Sequence, residues 1–129
     1  SVILTDPRRS IGAMCHIVHV GRPNTANARN TAYGAPAMTE LFARVQQLGI
    51  NPVLCQAYVF GGGNMFPNVF NEHHVGDANG RWVMDFLHAR NMQVLDSNLG
   101  GNGHRKISWT VGPREPVVEF VVNQSGNQQ

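Results

Sequence analysis

The sequence predicts a single α/β or α+β domain, layered, with mixed β-sheets and two main helices. Three observations carry this. Two segments repeat apolar residues at helical spacing. Short runs rich in Val, Ile, Leu and Phe are bounded by Gly, Pro, Asn and Asp, as strands are. The 129 residues suit one domain with a real core, with no repeat or linker to divide them.

The elements follow in order. Ser1 to Thr5 is a short apolar strand, and Asp6-Pro7 ends it in a turn. Ile11 to Val20 reads as a second strand, broken at Gly12 and carrying His16 and His19. Gly21 to Ala32 is polar and reads as a loop. Ala35 to Leu48 reads as a helix, its stripe made by Ala37, Leu41, Val45 and Leu48 and widened by Met38 and Phe42. Gly49 is its expected C-terminal cap. Pro52 to Phe60 is apolar almost throughout, which predicts a central strand buried on both faces. Residues 61–67 form a Gly-rich loop. Asn79 to Asn91 reads as the second helix, with Trp82, Val83, Phe86 and Leu87 as its apolar face and Asn91 as a left-handed cap. Gln93 to Asp96 is a short strand, and Asn98 to Arg105 a second Gly-rich loop. Lys106 to Val111 and Val117 to Val122 pair antiparallel around Gly112-Pro113. The polar tail from Asn123 is expected to fray.

Composition excludes several classes. Charged residues make up 14% of the chain, against about 25% in typical soluble domains, and hydrophobic residues make up 42%. Charge-driven disorder and coiled coils do not fit these values. No apolar run approaches the roughly 18 residues of a membrane span. A formal net charge of +2 is too small to argue for a nucleic-acid partner. Two cysteines in apolar runs, Cys15 and Cys55, read as small buried hydrophobes of a reduced, cytoplasmic protein.

Few residues carry candidate chemistry. Strand alternation sets His16 on one face with Met14, Val18 and Val20, and Cys15 on the other, so the neighbours Cys15 and His16 are badly placed for a dyad. An imidazole among Met and Val is either a hydrogen-bonded core histidine or a catalytic base. His73-His74 is the densest histidine pair, but it lacks metal-ligand spacing, and no metal or cofactor is expected. Gly61-Gly62-Gly63 lacks the spacing of a phosphate loop. With Gly100-Gly101 it suggests backbone approaching a bound polypeptide.

These residues also resemble a known family. Asp6-Pro7, the strand Gly12-Ala13-Met14-Cys15-His16, and Tyr33-Gly34-Ala35 match the order of motifs in the CheD family of bacterial chemoreceptor glutamine deamidases. So do Tyr58 through Phe66, Val75-Gly76-Asp77-Ala78-Asn79, and Ser97 through Arg105. Ala35 stands where the family has Asp, Tyr58 where it has Lys, and the residue before Leu99 differs.

The resemblance implies a protein-glutamine deamidase of chemotaxis, an amidohydrolase using Cys-His thiol chemistry on a packed α/β domain similar to toxin deamidases. It makes His16 the base and puts the nucleophilic Cys about two positions before Ser1, ahead of this chain. Expected substrate-binding residues are Gly61, Gly62, Asn79, Gly100 and Gly101. Expected partners are chemoreceptors and a CheC-like phosphatase. The alternative is a degenerate module that binds these partners without catalysis. A third reading makes Ser1 an N-terminal nucleophile, but Ser1 aligns with an ordinary strand residue.

Overall fold

The computed structural model describes residues 1–18, 30–61, 75–101 and 103–122, with backbone alone at 75–77. The order is β1 (Val2–Thr5), β2 (Gly12–Cys15), α1 (Gly34–Gln47), a 3-10 turn (Pro52–Leu54), β3 (Gln56–Gly61), α2 (Val75–Ala89), β4 (Gln93–Leu99), β5 (Gly103–Ser108) and β6 (Val117–Val122). The α+β architecture is as expected. A four-stranded sheet runs β2-β1-β3-β4, and β5-β6 form a second, two-stranded sheet. The first sheet is mixed: β1 is antiparallel to β2 and β3, while β3 and β4 are parallel across α2.

The helices cover one face of the large sheet and the hairpin β5-β6 covers the other. Alternation along β1 and β3 decides which side chain goes where. Val2, Leu4, Ala57 and Val59 join Ala37, Met38, Leu41, Val45, Val83 and Leu87 in the helix-side core. Ile3, Tyr58 and Phe60 face the hairpin and meet Ile107, Trp109 and Val118. Inner strand β3 is therefore buried on both faces, as its apolar run predicts. Each fully buried Leu or Ile of this core stabilises by about 1.5–3 kcal/mol.

Both helices end through the expected left-handed residue. Past α1, Gly49 has φ +86°, Gly49 N–H donates to Gln46 O at 2.9 Å and Ile50 N–H to Val45 O at 3.3 Å. Past α2, Asn91 has φ +55°, Asn91 N–H donates to His88 O at 3.0 Å and Met92 N–H to Leu87 O at 3.1 Å. Both patterns are Schellman motifs, which satisfy the orphan carbonyls of the last turn.

Several boundaries differ from expectation. Leu48 is 54% exposed, because α1 ends at Gln47 and Leu48 turns off the stripe. Pro52–Leu54 is not strand: Asn51 Oδ1 accepts the Val53 N–H at 3.2 Å and Pro52 opens a 3-10 turn. Helix α2 begins one turn early, at Val75. Asn98 and Leu99 belong to β4 and Gly103 to Arg105 belong to β5, so the second Gly-rich loop is much shorter than expected. Polar residues there take strand geometry because β3 pairs with them, Phe60 with Asn98 and Gly61 with Leu99. Residues 19–29 and 62–74, including His19, Gly62, His73 and His74, and the tail from Asn123 lie outside the described residues.

Candidate active site

Strand β2 ends sooner than its sequence suggests, at Cys15, because the backbone beyond it finds other partners. Val18 N–H donates to Ala32 O at 2.7 Å. The Asn79 amide, from α2, donates to Val18 O at 2.9 Å and reaches Ile17 O at 3.4 Å. His16 is thus held between a strand and an anchored turn. It is exposed, so it is not the core histidine that its apolar neighbours allow.

The β1-β2 register sets its surroundings. Val2 pairs with Cys15, which places Ser1 across from His16. Ser1 Oγ lies 3.3 Å from His16 Nδ1. Ser1 itself is fastened to β3: its backbone nitrogen donates to Phe60 O at 2.6 Å, and Phe60 N–H donates to Ser1 O at 2.9 Å. Partial burial lowers the His16 pKa. The ring is therefore neutral near physiological pH, the state a base needs.

Cys15 follows the opposite alternation and packs against the helix-side core with Val2. Burial pushes its thiol up to about 11. It is protonated at neutral pH and inert as a nucleophile. Cys55 is buried, and its pKa is also raised, by burial first and by Asp6 second. Cys15 forms no pair with His16, as the alternation of β2 predicts, and Cys55 forms none either. A cleft of about 270 Å³ adjoins His16, lined by Met14, Ala37, Leu41 and the ion-paired Glu40 and Arg44, among others.

The glycines meet at the same end of the sheet as Ser1. Gly61, with φ +129°, closes β3, and a Cβ there would lie 3.6 Å from Ser1 N. Gly61 O accepts from Gly100 N at 2.9 Å and from Arg105 Nη1 at 3.0 Å. Arg105 also donates from Nε to Asn98 Oδ1 at 2.8 Å and lies 4.7 Å over the Phe120 ring. Gly100 and Gly101 both have positive φ, +80° and +83°, and Gly101 has no room for a Cβ beside Phe120. Backbone geometry thus accounts for these two glycines. Asn79 is seen anchoring the turn after His16. Sequence reasoning assigns no role to Arg105, because it stands between His104 and Lys106 in β5 and no local signal sets it apart.

The family position where Lys is usual holds a different device. The Tyr58 phenol accepts from Arg9 Nη2 at 2.6 Å and donates to Glu115, tying the β1-β2 turn to the hairpin. Arg9 and Glu115 add an ion pair at 3.5 Å.

Comparison with known proteins agrees with the motif order. The family model for CheD chemotactic sensory transduction matches residues 19–118. The chain belongs to the CheD family. Its CheD relatives include the probable chemoreceptor glutamine deamidase CheD 2 of Albidiferax ferrireducens, 33% identical over 115 residues, 86% of this chain and 66% of that protein. Another is the probable chemoreceptor glutamine deamidase CheD of Pseudomonas syringae pv. tomato, 31% identical over 110 residues, 83% of this chain and 66% of that protein. CheD 3 of Dechloromonas aromatica is 30% identical over 122 residues, 93% of this chain and 72% of that protein. The chain spans about two thirds of the length of these CheD relatives. The CheD family match starts past His16.

Proposed function

We propose that this CheD-family chain carries the base of a protein-glutamine deamidase that converts chemoreceptor glutamine side chains to glutamate. The observation that carries the reading is the placement of His16: exposed, neutral and held at the end of β2, directly across the ladder from Ser1. The resemblance puts the nucleophilic cysteine two positions ahead of Ser1, on the same sheet face. Diagonal neighbours on one face of an antiparallel pair lie within reach of a long or aromatic side chain.

The chemistry follows from that pairing. His16 takes the thiol proton, and the thiolate attacks the carboxamide carbon of the receptor glutamine. The imidazolium returns the proton to the nitrogen, the C–N bond breaks, and ammonia leaves. His16 then removes a proton from water, which attacks the thioester carbonyl and releases glutamate and thiol. Backbone N–H groups near the nucleophile would hold the oxyanion. Gly61, Gly62, Asn79, Gly100 and Gly101 are the residues we place along the bound receptor segment. The site belongs in the cytoplasm with the signalling machinery. No helix among the described residues is long and apolar enough to cross a membrane.

The test is ammonia release from glutamine-containing receptor peptides by the full-length protein, with and without His16→Ala. A positioned general base contributes about 10²–10⁴-fold, so the variant should lose at least about 100-fold in rate. Equal rates would overturn the assignment. One observation favours a second reading: neither Cys15 nor Cys55 pairs with His16. A full-length protein without a cysteine ahead of Ser1 would be a module that docks to receptors or to a CheC-like phosphatase without catalysis.

A further inference from the structure

We propose that Arg105 is a positioning residue for the nucleophile. Its guanidinium fixes the end of β3, and β3 is the strand that holds the chain at Ser1. The inference rests on the reading that places the nucleophilic cysteine just ahead of Ser1.

Strand β3 ends on Gly61, which has little conformational preference of its own and takes a φ of +129° that side chains rarely allow. What fixes it must therefore come from outside. Its carbonyl oxygen accepts from Gly100 N–H at 2.9 Å and from Arg105 Nη1 at 3.0 Å. The bond from the guanidinium is charge-assisted, the stronger kind. The same group donates from Nε to Asn98 Oδ1 at 2.8 Å and lies 4.7 Å from the centre of the Phe120 ring. One rigid fork on β5 thus joins the ends of β3 and β4 to β6. Next to Gly61 is Phe60, which exchanges both backbone bonds with Ser1, at 2.6 and 2.9 Å. Such a bonded pair sets where the β1 backbone begins, so a shift at Gly61 passes to Ser1. The far end of the hairpin has its own tie, through Arg9, Tyr58 and Glu115. Loss of Arg105 therefore loosens one end of the sheet and leaves the hairpin attached.

The test is deamidation of glutamine-containing receptor peptides by the full-length protein, with kcat and KM measured separately. Arg105→Lys keeps the charge and loses the fork. It should lower kcat about 10-fold or more and leave KM within about threefold, since a reacting group misplaced by about 1 Å can cost about 100-fold in rate. Asn98→Ala, at an exposed position, removes one acceptor of the fork and should lower kcat in the same direction. Tyr58→Phe takes the phenol out of the tie at the far end and should leave kcat as it is. An unchanged kcat in Arg105→Lys, or in Asn98→Ala should Arg105→Lys not fold, overturns the proposal. So does a change confined to KM, which assigns Arg105 to receptor binding. So does a loss in Tyr58→Phe as large as in Arg105→Lys, which reduces Arg105 to holding the hairpin. A wild-type protein that releases no ammonia strikes the deamidase reading itself, and with it any nucleophile for Arg105 to position.

Discussion

At the scale of single residues, position in the ladder matters more than neighbours in sequence. His16 sits between Cys15 and Ile17 in an apolar run, yet it is exposed while Ile17 is 6% exposed. Alternation separates them, and the short β2 leaves His16 at an end rather than in a core. Asp6 shows the reverse case, a charged residue that the fold buries. It is 4% exposed, and its carboxylate accepts from Ser10 N–H at 2.7 Å, Ser10 Oγ at 2.6 Å and Ile11 N–H at 3.0 Å. Burial alone pushes its pKa up, but these hydrogen bonds outweigh it and hold the carboxyl below its ordinary value. A depressed carboxylate contributes stability above its unfolded pKa of about 3.9, and this is lost as pH falls through the folded value. Asp6→Ala should therefore cost about 2–3 kcal/mol near neutral pH, measured by urea unfolding. The gap between variant and wild type should narrow on acidification below about pH 4. A gap that stays constant into strong acid would contradict the role of the ionised carboxylate.

At the scale of elements, the helices were legible because their signals are local. The stripe Ala37, Leu41, Val45 and the caps Gly49 and Asn91 need only a few turns of chain to act. Strand ends were harder to read. Pro52–Leu54 looks like strand by composition, but Asn51 and Pro52 form a turn, and Leu54 is left 65% exposed. Asn98 looks like loop, but β3 recruits it into the sheet. The hairpin offers a sharp test of such pairing. A Cβ at Gly103 would lie 2.0 Å from the Val121 carbonyl oxygen, a backbone atom that cannot move without breaking the β5-β6 ladder. Gly103→Ala should destabilise by about 2 kcal/mol or more, by the cost of overpacking. Gly49→Ala has open space around it and should cost only about 1 kcal/mol, for the left-handed backbone alone. Thermal unfolding of the two variants should rank them in that order; the reverse ranking would show that the hairpin gives way.

At the scale of the whole molecule, three layers share one inner sheet, and they are not equally buried. All four residues of β1 are buried, as are the four central residues of β3. Strand β6 alternates through mostly exposed positions, with Val117 66% and Val122 55% exposed. The hairpin has its own two-stranded ladder and rests on the sheet through Ile107, Trp109 and Val118, and through the Arg9–Tyr58–Glu115 link. Local opening should begin there. Native-state hydrogen exchange should find the amides of β1 and β3 slowest, at the global unfolding limit, and those of β5 and β6 faster. Equal protection across both sheets would mean that the molecule opens as one unit.

The order of strands and helices, the two caps, the central place of β3, and the separation of Cys15 from His16 were all determined by the sequence alone. Each depends on periodicity or on one residue's backbone preference, which act over a few residues. Tertiary structure decided the rest: that His16 is exposed, that Ser1 stands across from it, and that Asn79 anchors the turn beyond it. It also decided that Arg105 clasps the ends of β3 and β4. These are contacts between residues far apart in the chain. They follow from the β1-β2 register and from the packing of α2 and the hairpin on the sheet.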